Sequence, residues 1–291
     1  MNKYKLAKTI SVLTNPPIIT IPLFLIICIV LSFENGGFDF FKFIQMELIS
    51  LIFASLLPMA IIVFWAKKIN TDNDISNRED RFVPLIVGIV SYFIGFIVCL
   101  FLNVSNFLAL LLLCYSVNTG VVLIFTIWWK ISVHTTGLSG PVAALILLLG
   151  PIGAIFAILY PIVIWSRVLL KKHTMAQAVT GGVQGFFLTV LEIYLFSHLL
   201  NMPLNGLVSL EESILYILAI IATPVVLGIL SYVNLSNKKI IFYISQAVFL
   251  ILFYFLSPFN VFAIFVVICL TSILISYWAG EEFVWFNVLN S

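Results

Sequence analysis

The chain has 291 residues, 63% of them hydrophobic and only 9% charged. That composition excludes a water-soluble globule, which has to clothe its surface with polar side chains, and it makes the bilayer the solvent. A net charge of +2 likewise excludes a strongly basic nucleic-acid binder.

The expected fold class is all-α, a polytopic transmembrane bundle of about ten helices, because roughly 20 apolar residues cross a bilayer and such runs fill most of the chain. The first run, from about Pro17 to Ser32, follows Lys3, Lys5 and Lys8 in the manner of a signal peptide. No small-residue cleavage site comes after it, so it reads as a retained helix. The second, at about 45 to 66, leads into the most polar stretch of the chain, Lys67 to Arg81, which holds Lys68, Asp74, Arg78 and Asp80 and stands directly before Phe82. Alone, such a charge run reads as a solvated loop.

Runs at about 83 to 101 and 105 to 128 lead to a second polar cluster, Lys130 to Gly137, with Ser132 and His134. The runs at 135 to 149 and 153 to 170 are short for full spans, and Gly150-Pro151 with Gly153 between them predicts a tight helical hairpin. A third cluster follows: Ser166-Arg167, then five residues, then His173-Thr174-Met175-Ala176-Gln177. The run at 177 to 200 contains Gly181-Gly182 and Glu192, and runs at 212 to 232, 239 to 256 and 259 to 279 close the chain with almost no chemically active residues. The domain division is therefore a helical core over residues 1–205 and additional C-terminal helices over 206–291. Cys28, Cys99, Cys114 and Cys269 are scattered through apolar helices and read as small core residues, without the close pairing of a disulfide framework or a zinc site. Trp128, Trp129 and Trp165 near helix ends fit an interfacial belt.

If the helices alternate, every Lys and Arg except Lys42 falls on one side of the membrane. Basic residues are retained in cytoplasmic loops, so this side, with all three polar clusters, is expected to face the cytoplasm of a cell membrane. Two of the chain's three histidines lie in these clusters; His198, near the opposite end of its helix, does not. A charge near hydrocarbon costs about 2.5 kcal/mol or more on insertion scales, and one shared site explains the coincidence economically. Guanidinium groups grip phosphate oxygens with fork geometry, and imidazole suits nucleophilic or acid work near pH 7.

These residues resemble the type 2 phosphatidic acid phosphatase superfamily, which is related to the vanadium haloperoxidases. The third signature of that family, Ser-Arg, five residues, His, is matched at full spacing by Ser166, Arg167 and His173. The second, Pro-Ser-Gly-His, is echoed by Ser132, Val133 and His134, with Ile131 at the proline. In the first, Lys, six residues, Arg-Pro, Arg81 takes the arginine position while Asp74 stands at the lysine and Phe82 at the proline; Arg78 or Lys68 is a candidate substitute. The resemblance covers about residues 67 to 187 and implies a six-helix core around a metal-independent site, with no cofactor, that hydrolyses a lipid phosphomonoester or diphosphate. It implies His173 as nucleophile, forming a phosphohistidine, and His134 as the acid that protonates the leaving oxygen. Arg167, Arg81, Arg78, Lys68 and Ser132 would hold the phosphoryl oxygens. Gln177, four residues after His173 and expected on the same helix face, occupies the place of the family's aspartate. A neutral glutamine can fix an imidazole tautomer without stabilising its cation, and Asp74 or Asp80 is the alternative carboxylate for the site to draw on.

Two rivals belong to other classes. The segment Asp74 to Arg81, followed by Pro84, also looks like the first aspartate-rich segment of intramembrane prenyltransferases, which need a second acidic cluster to hold magnesium diphosphate. No Asp or Glu occurs between Asp80 and Glu192. A transporter or non-catalytic lipid-phosphate binding protein would draw on Glu192, an acid inside an apolar helix, which reads equally as a neutral carboxyl bonded to a neighbouring helix.

Overall fold

The computed structural model describes residues 3–34, 36–71, 74–75, 77–204 and 207. The apolar runs expected at 212–232, 239–256 and 259–279, and Cys269 with them, lie outside the described residues. Within the described part the chain is all-α apart from one two-stranded hairpin, β1 (Phe33–Glu34) with β2 (Gly37–Phe38).

The N-terminal segment with Lys3, Lys5 and Lys8 is itself a helix, α1 (Lys3–Leu13), bent by 62° from α2 (Pro16–Leu31). The bend falls at Asn15-Pro16-Pro17, where ring constraints hold the preceding residue out of the helical region and open a new helix. A long span, Phe40–Lys68, follows as α3 (Phe40–Ser50), a π-helical turn (Leu51–Leu56) and α4 (Leu57–Lys68). Pro58 has no N–H to return to the preceding turn. The carbonyls of Phe53 and Ala54 instead accept the hydroxyls of Ser91, at 2.7 Å, and Thr20, at 3.4 Å, so the irregular turn is stitched to its neighbours.

Helices α5 (Phe82–Leu102) and α6 (Asn106–Thr126) form an antiparallel pair. Asn103, in the left-handed region at φ +49°, ends the first, and Ser105 caps the second through Leu108 N–H. On α5 the residues Val83, Ile86, Val90, Ile94 and Ile97 make an exposed apolar stripe, while Gly88, Ser91, Gly95 and Cys99 turn inward. Large apolar residues outside and small or polar ones inside is the pattern of a helix solvated by lipid.

Nearly every described residue of α7 (Val133–Leu149) is buried, which places this helix at the centre against α2 and α10. Pro141 frees the carbonyl of Gly137, and the Tyr115 phenol donates to it at 3.1 Å. The expected hairpin is present: Gly150, at φ +58°, turns the chain into α8 (Pro151–Ala154), a 3₁₀ turn (Ile155–Ile158) and α9 (Leu159–Leu169). A β-carbon on Gly153 would lie 2.1 Å from the Leu145 carbonyl oxygen, so this return needs glycine. Helix α10 (Met175–Leu199) then packs back along α7 and α6. Its glycines permit the approach: an added β-carbon would fall 2.6 Å from Ser132 O at Gly181, 1.7 Å from the Tyr160 ring at Gly182 and 2.7 Å from Thr136 O at Gly185.

Four helical segments are long and apolar enough to cross a membrane, namely Phe40–Lys68, Glu79–Leu102, Asn106–Thr126 and Met175–Leu199, with a fifth if α1 and α2 count as one bent span. Val133–Leu149 and Ile155–Leu169 are shorter, as their runs predicted. Trp128 and Trp129 are exposed, but Trp165 departs from the expected belt and is buried on the inward face of α9 beside Ser166 and Arg167.

Candidate functional site

Helix direction assembles the site. The C-terminus of α9, the N-termini of α7 and α10, the loop before α5 and the inner face of α1 meet at one end of the bundle. The close α7–α10 packing over Gly181 and Gly185 brings Ser132 N–H to Gln177 O at 3.2 Å, which joins the segments carrying His134 and His173.

Arg167 lies at the centre with none of its surface exposed. Its Nη1 donates to both carboxylate oxygens of Asp74, at 3.0 and 2.9 Å, and to Ser11 Oγ of α1. Asp74 also lies 3.5 Å from His134 Nε2 and 3.8 Å from Lys172 Nζ. Through its Ser11 hydroxyl, which accepts from Arg167, α1 covers this end of the site. Arg81 is buried; its Nε donates to Ile75 O at 2.8 Å and its Nη1 to Ile131 O at 3.5 Å, tying the loop to the approach of α7.

His173 Nδ1 stands 3.3 Å from the carbonyl oxygen of Lys130. A carbonyl only accepts, so Nδ1 carries the proton and Nε2 holds the lone pair. That Nε2 is buried without a hydrogen-bond partner among the described residues, as are His134 Nε2, Arg167 Nε and Ser166 Oγ. Burial first, then the charges of Arg81, Arg167 and Lys130 and the neighbouring His134, hold the His173 imidazole well below its ordinary range, which keeps it neutral. Burial, followed by Arg81, Arg167 and Lys172, pushes the Lys130 ammonium down to about 8 against a smaller opposing pull from Asp74. Arg167, His134 and Lys172 thus meet one carboxylate, and Lys130 feels its charge.

Three expected site residues stand elsewhere. Lys68 is exposed at the end of α4 with its ammonium 5.2 Å from the Trp65 ring centre, and Arg78 is exposed ahead of the 3₁₀ turn Glu79–Arg81 and makes none of the cluster's contacts. Gln177 was expected to share a helix face with His173. His173 precedes α10, however, and Thr174 is the cap of that helix. The two form a capping box in which Gln177 Oε1 accepts from Thr174 N–H and Thr174 Oγ1 from Gln177 N–H, each at 3.1 Å. The Lys130 carbonyl therefore does the tautomer-fixing expected of Gln177. Ser132, fully buried, uses its hydroxyl as the cap of α7. Sequence reasoning missed Ser11 and Lys172, while Asp74, one of the two carboxylates it offered in place of Gln177, is the one that turns inward.

From this cluster an apolar pocket runs into the bundle, beginning at Asp74, Arg81 and His134 and passing Pro17, Ile62, Leu85 and Gly88 to Tyr92, Tyr115 and Asn118. Along α5, from Pro84 to Tyr92, it descends about 12 Å at the helical rise. Glu192 lies away from the charged cluster, in a buried network at mid-helix depth: Asn118 Nδ2 donates to Glu192 Oε2 at 3.2 Å and to Thr189 Oγ1 at 3.1 Å, and Gln184 Nε2 donates to Asn118 Oδ1 at 2.9 Å. Comparison with family models, curated proteins and solved structures gives no match to this chain.

Proposed function

We propose that the protein is an integral membrane lipid phosphatase that hydrolyses a phosphomonoester or diphosphate of a lipid through a phosphohistidine intermediate. One observation carries the reading: two buried imidazoles, each with an Nε2 that has no hydrogen-bond partner among the described residues, share one cluster with Arg167 and Arg81, and His134, Arg81 and Asp74 of that cluster line an apolar pocket. An amphiphile with an anionic head and a hydrocarbon tail suits that combination, the head at the cations and the tail in the pocket.

In this reading His173 Nε2 attacks phosphorus and the bond to the leaving oxygen breaks. His134, which has to have taken up a proton from solvent as the anionic headgroup enters, gives it to that oxygen, and the lipid alcohol or monophosphate departs. Water then attacks phosphorus, surrendering a proton to His134, and the bond between phosphorus and His173 Nε2 breaks to release phosphate. Arg167, Arg81, Lys130 and Lys172 neutralise the phosphoryl oxygens as charge shifts, the principal protein contribution to phosphoryl transfer. The bundle is completed by the C-terminal apolar runs to about ten spans, and the basic residues put the site at the cytoplasmic face of a cell membrane.

The test is phosphate release by the purified chain from phosphatidate and from polyprenyl diphosphate, with and without chelator. Release that resists chelation and vanishes in His173→Ala supports the phosphatase. Release of diphosphate that requires magnesium and an acceptor would show a prenyltransferase. Lipid binding without any release would show a binding protein.

A further inference from the structure

The pocket that opens at Asp74, Arg81 and His134 has a blind end. Among the described residues its lining stops at Tyr92 on α5 and at Tyr115 on α6. Those two rings meet edge to face with centres 5.3 Å apart, and the Tyr115 ring meets Phe24 of α2 edge-on at 5.4 Å. The Tyr115 phenol is anchored to Gly137 O at 3.1 Å, and Gly140 leaves its ring room, since a β-carbon there would lie 3.1 Å from it. One turn beyond, Phe96 and Leu112 are packed into the core. Three helices thus build a floor of aromatic rings.

The wall above that floor is chemically quiet. Thr119 Oγ1 donates to Tyr115 O at 2.7 Å, Thr136 Oγ1 to Gly181 O at 2.8 Å and Thr189 Oγ1 to Gly185 O at 2.6 Å, while Asn118 is held by Thr189, Glu192 and Gln184. Polar side chains already bonded within the protein offer little to an incoming polar group, so the interior favours hydrocarbon. The space open to the centres of ligand atoms is about 110 Å³. Drawn out over the roughly 12 Å from Pro84 to Tyr92, it is a track one atom wide, with room for one chain and not two.

We propose that this pocket measures hydrocarbon: it takes one chain of the bound lipid and stops it at Tyr92 and Tyr115. The inference rests on the phosphate-binding reading of the cluster and adds a length to the tail. An extended chain advances about 1.2 Å per bond, so about ten carbons reach the floor. Carbons beyond that find no further pocket wall to bury against. Gly88 sets the bore halfway down, one turn above Tyr92 and about 6 Å below Pro84. The nearest neighbours of a β-carbon there would be the Tyr92 ring, at 3.5 Å, and Thr119 Cγ2, at 3.8 Å. Both are ordinary contacts between residues of the lining, so a larger side chain at Gly88 occupies the slot.

The test uses the full-length protein in nanodiscs, with inorganic phosphate as the tailless probe and straight-chain monoalkyl phosphates of about two to about sixteen carbons, which bracket the slot. Affinities of wild type and Gly88→Leu are compared at each chain length, a ratio in which partition of the probe into the bilayer cancels. The ratio should stay near one for inorganic phosphate and for chains of up to about five carbons. At about ten carbons Gly88→Leu should bind at least about tenfold more weakly, since each buried methylene is worth about fourfold. Past that length the ratio should not grow further. Tyr92→Ala, which opens the floor, should bind chains of about fourteen carbons more tightly than wild type does, and no gain there counts against the proposal. A ratio that is the same at every length, or that goes on growing to the longest chain, overturns it. Should Gly88→Leu fail to fold, Gly88→Ala carries the same test with a smaller ratio. If wild type binds neither inorganic phosphate nor any alkyl phosphate, the phosphate-site reading fails as well, whereas binding that ignores chain length in every variant sinks the measuring pocket alone.

Discussion

The network around Asn118 and the cluster around Arg167 are both buried polar groups in an apolar bundle, and they are finished in different ways. At mid-helix depth Asn118, Gln184, Thr189 and Glu192 bond to one another across α6 and α10, and none of their buried side-chain atoms lacks a partner among the described residues. At the membrane face His134, His173 and Arg167 each keep a buried nitrogen without one. Unpaired polar groups in low dielectric are costly, so the second arrangement is poorly suited to gluing helices and well suited to receiving an anion. Between these two groups it is completeness of hydrogen bonding, rather than burial or charge alone, that differs.

The largest effect should come from Arg167. Truncation to Ala removes the central donor and leaves Asp74 facing only Lys172 and His134, so phosphate release should fall by at least about 100-fold. Arg167→Lys keeps the charge but loses the planar fork and should fall in between. Initial rates with phosphatidate measure both, and a loss of threefold or less in Arg167→Ala would place this cluster with the mid-membrane network as helix glue.

The comparison is sharpened next by pH. Lys130 is charged below its value of about 8 and neutral above it, and an anionic substrate favours the charged form. KM should therefore rise with pH above about 8, approaching tenfold in the most alkaline range. Lys130→Arg, which stays charged, should flatten that rise. On the acid side His173, held neutral well below the ordinary histidine range, should keep the nucleophile available at pH 6. A rate that collapses between pH 7 and 6 would contradict its protonation state.

Much of this was legible in the chain. Alternating apolar runs required the clusters around Arg81, His134 and Arg167-His173 to share a membrane face, and in the structure they meet. The helical hairpin followed from Gly150-Pro151, which sterics confine to a turn. The choice of Asp74 over Asp80 as the inward carboxylate was not legible, because a charge run has no periodicity to reveal where each side chain points. Ser11 was hidden because α1 docks through tertiary contacts with α9 that leave no local signal. Gln177 was misplaced although its signature was present: Thr174-Met175-Ala176-Gln177 is a capping-box sequence, which starts the helix after His173 and takes that residue off the helix face.

That correction makes a prediction of its own. Gln177→Ala should cost about 1 kcal/mol of stability, the usual worth of a cap, while leaving the rate of phosphate release within about threefold. Thermal unfolding and initial rates on the same preparation measure it. Loss of activity without loss of stability would return Gln177 to the role of an imidazole partner and demote the Lys130 carbonyl.

The smallest effect belongs to Glu192, and it tests the other half of the comparison. Its Oε2 accepts from Asn118 Nδ2 at 3.2 Å, a bond that the amide oxygen of Glu192→Gln reproduces. Glu192→Leu deletes the acceptor and leaves Asn118 to Thr189 and Gln184, which should cost about 0.6 kcal/mol, the average worth of an interhelical hydrogen bond in a membrane. Phosphate release should stay within about twofold of wild type in both variants, because the network lies below the cluster and Glu192 is joined to the site segment only at a distance, through Asn118, Gln184 and the Thr136 hydroxyl on the Ser132 carbonyl. If Glu192→Gln folds normally yet stops release, a proton must pass through this carboxyl, and a fully bonded polar network in this bundle would be functional after all.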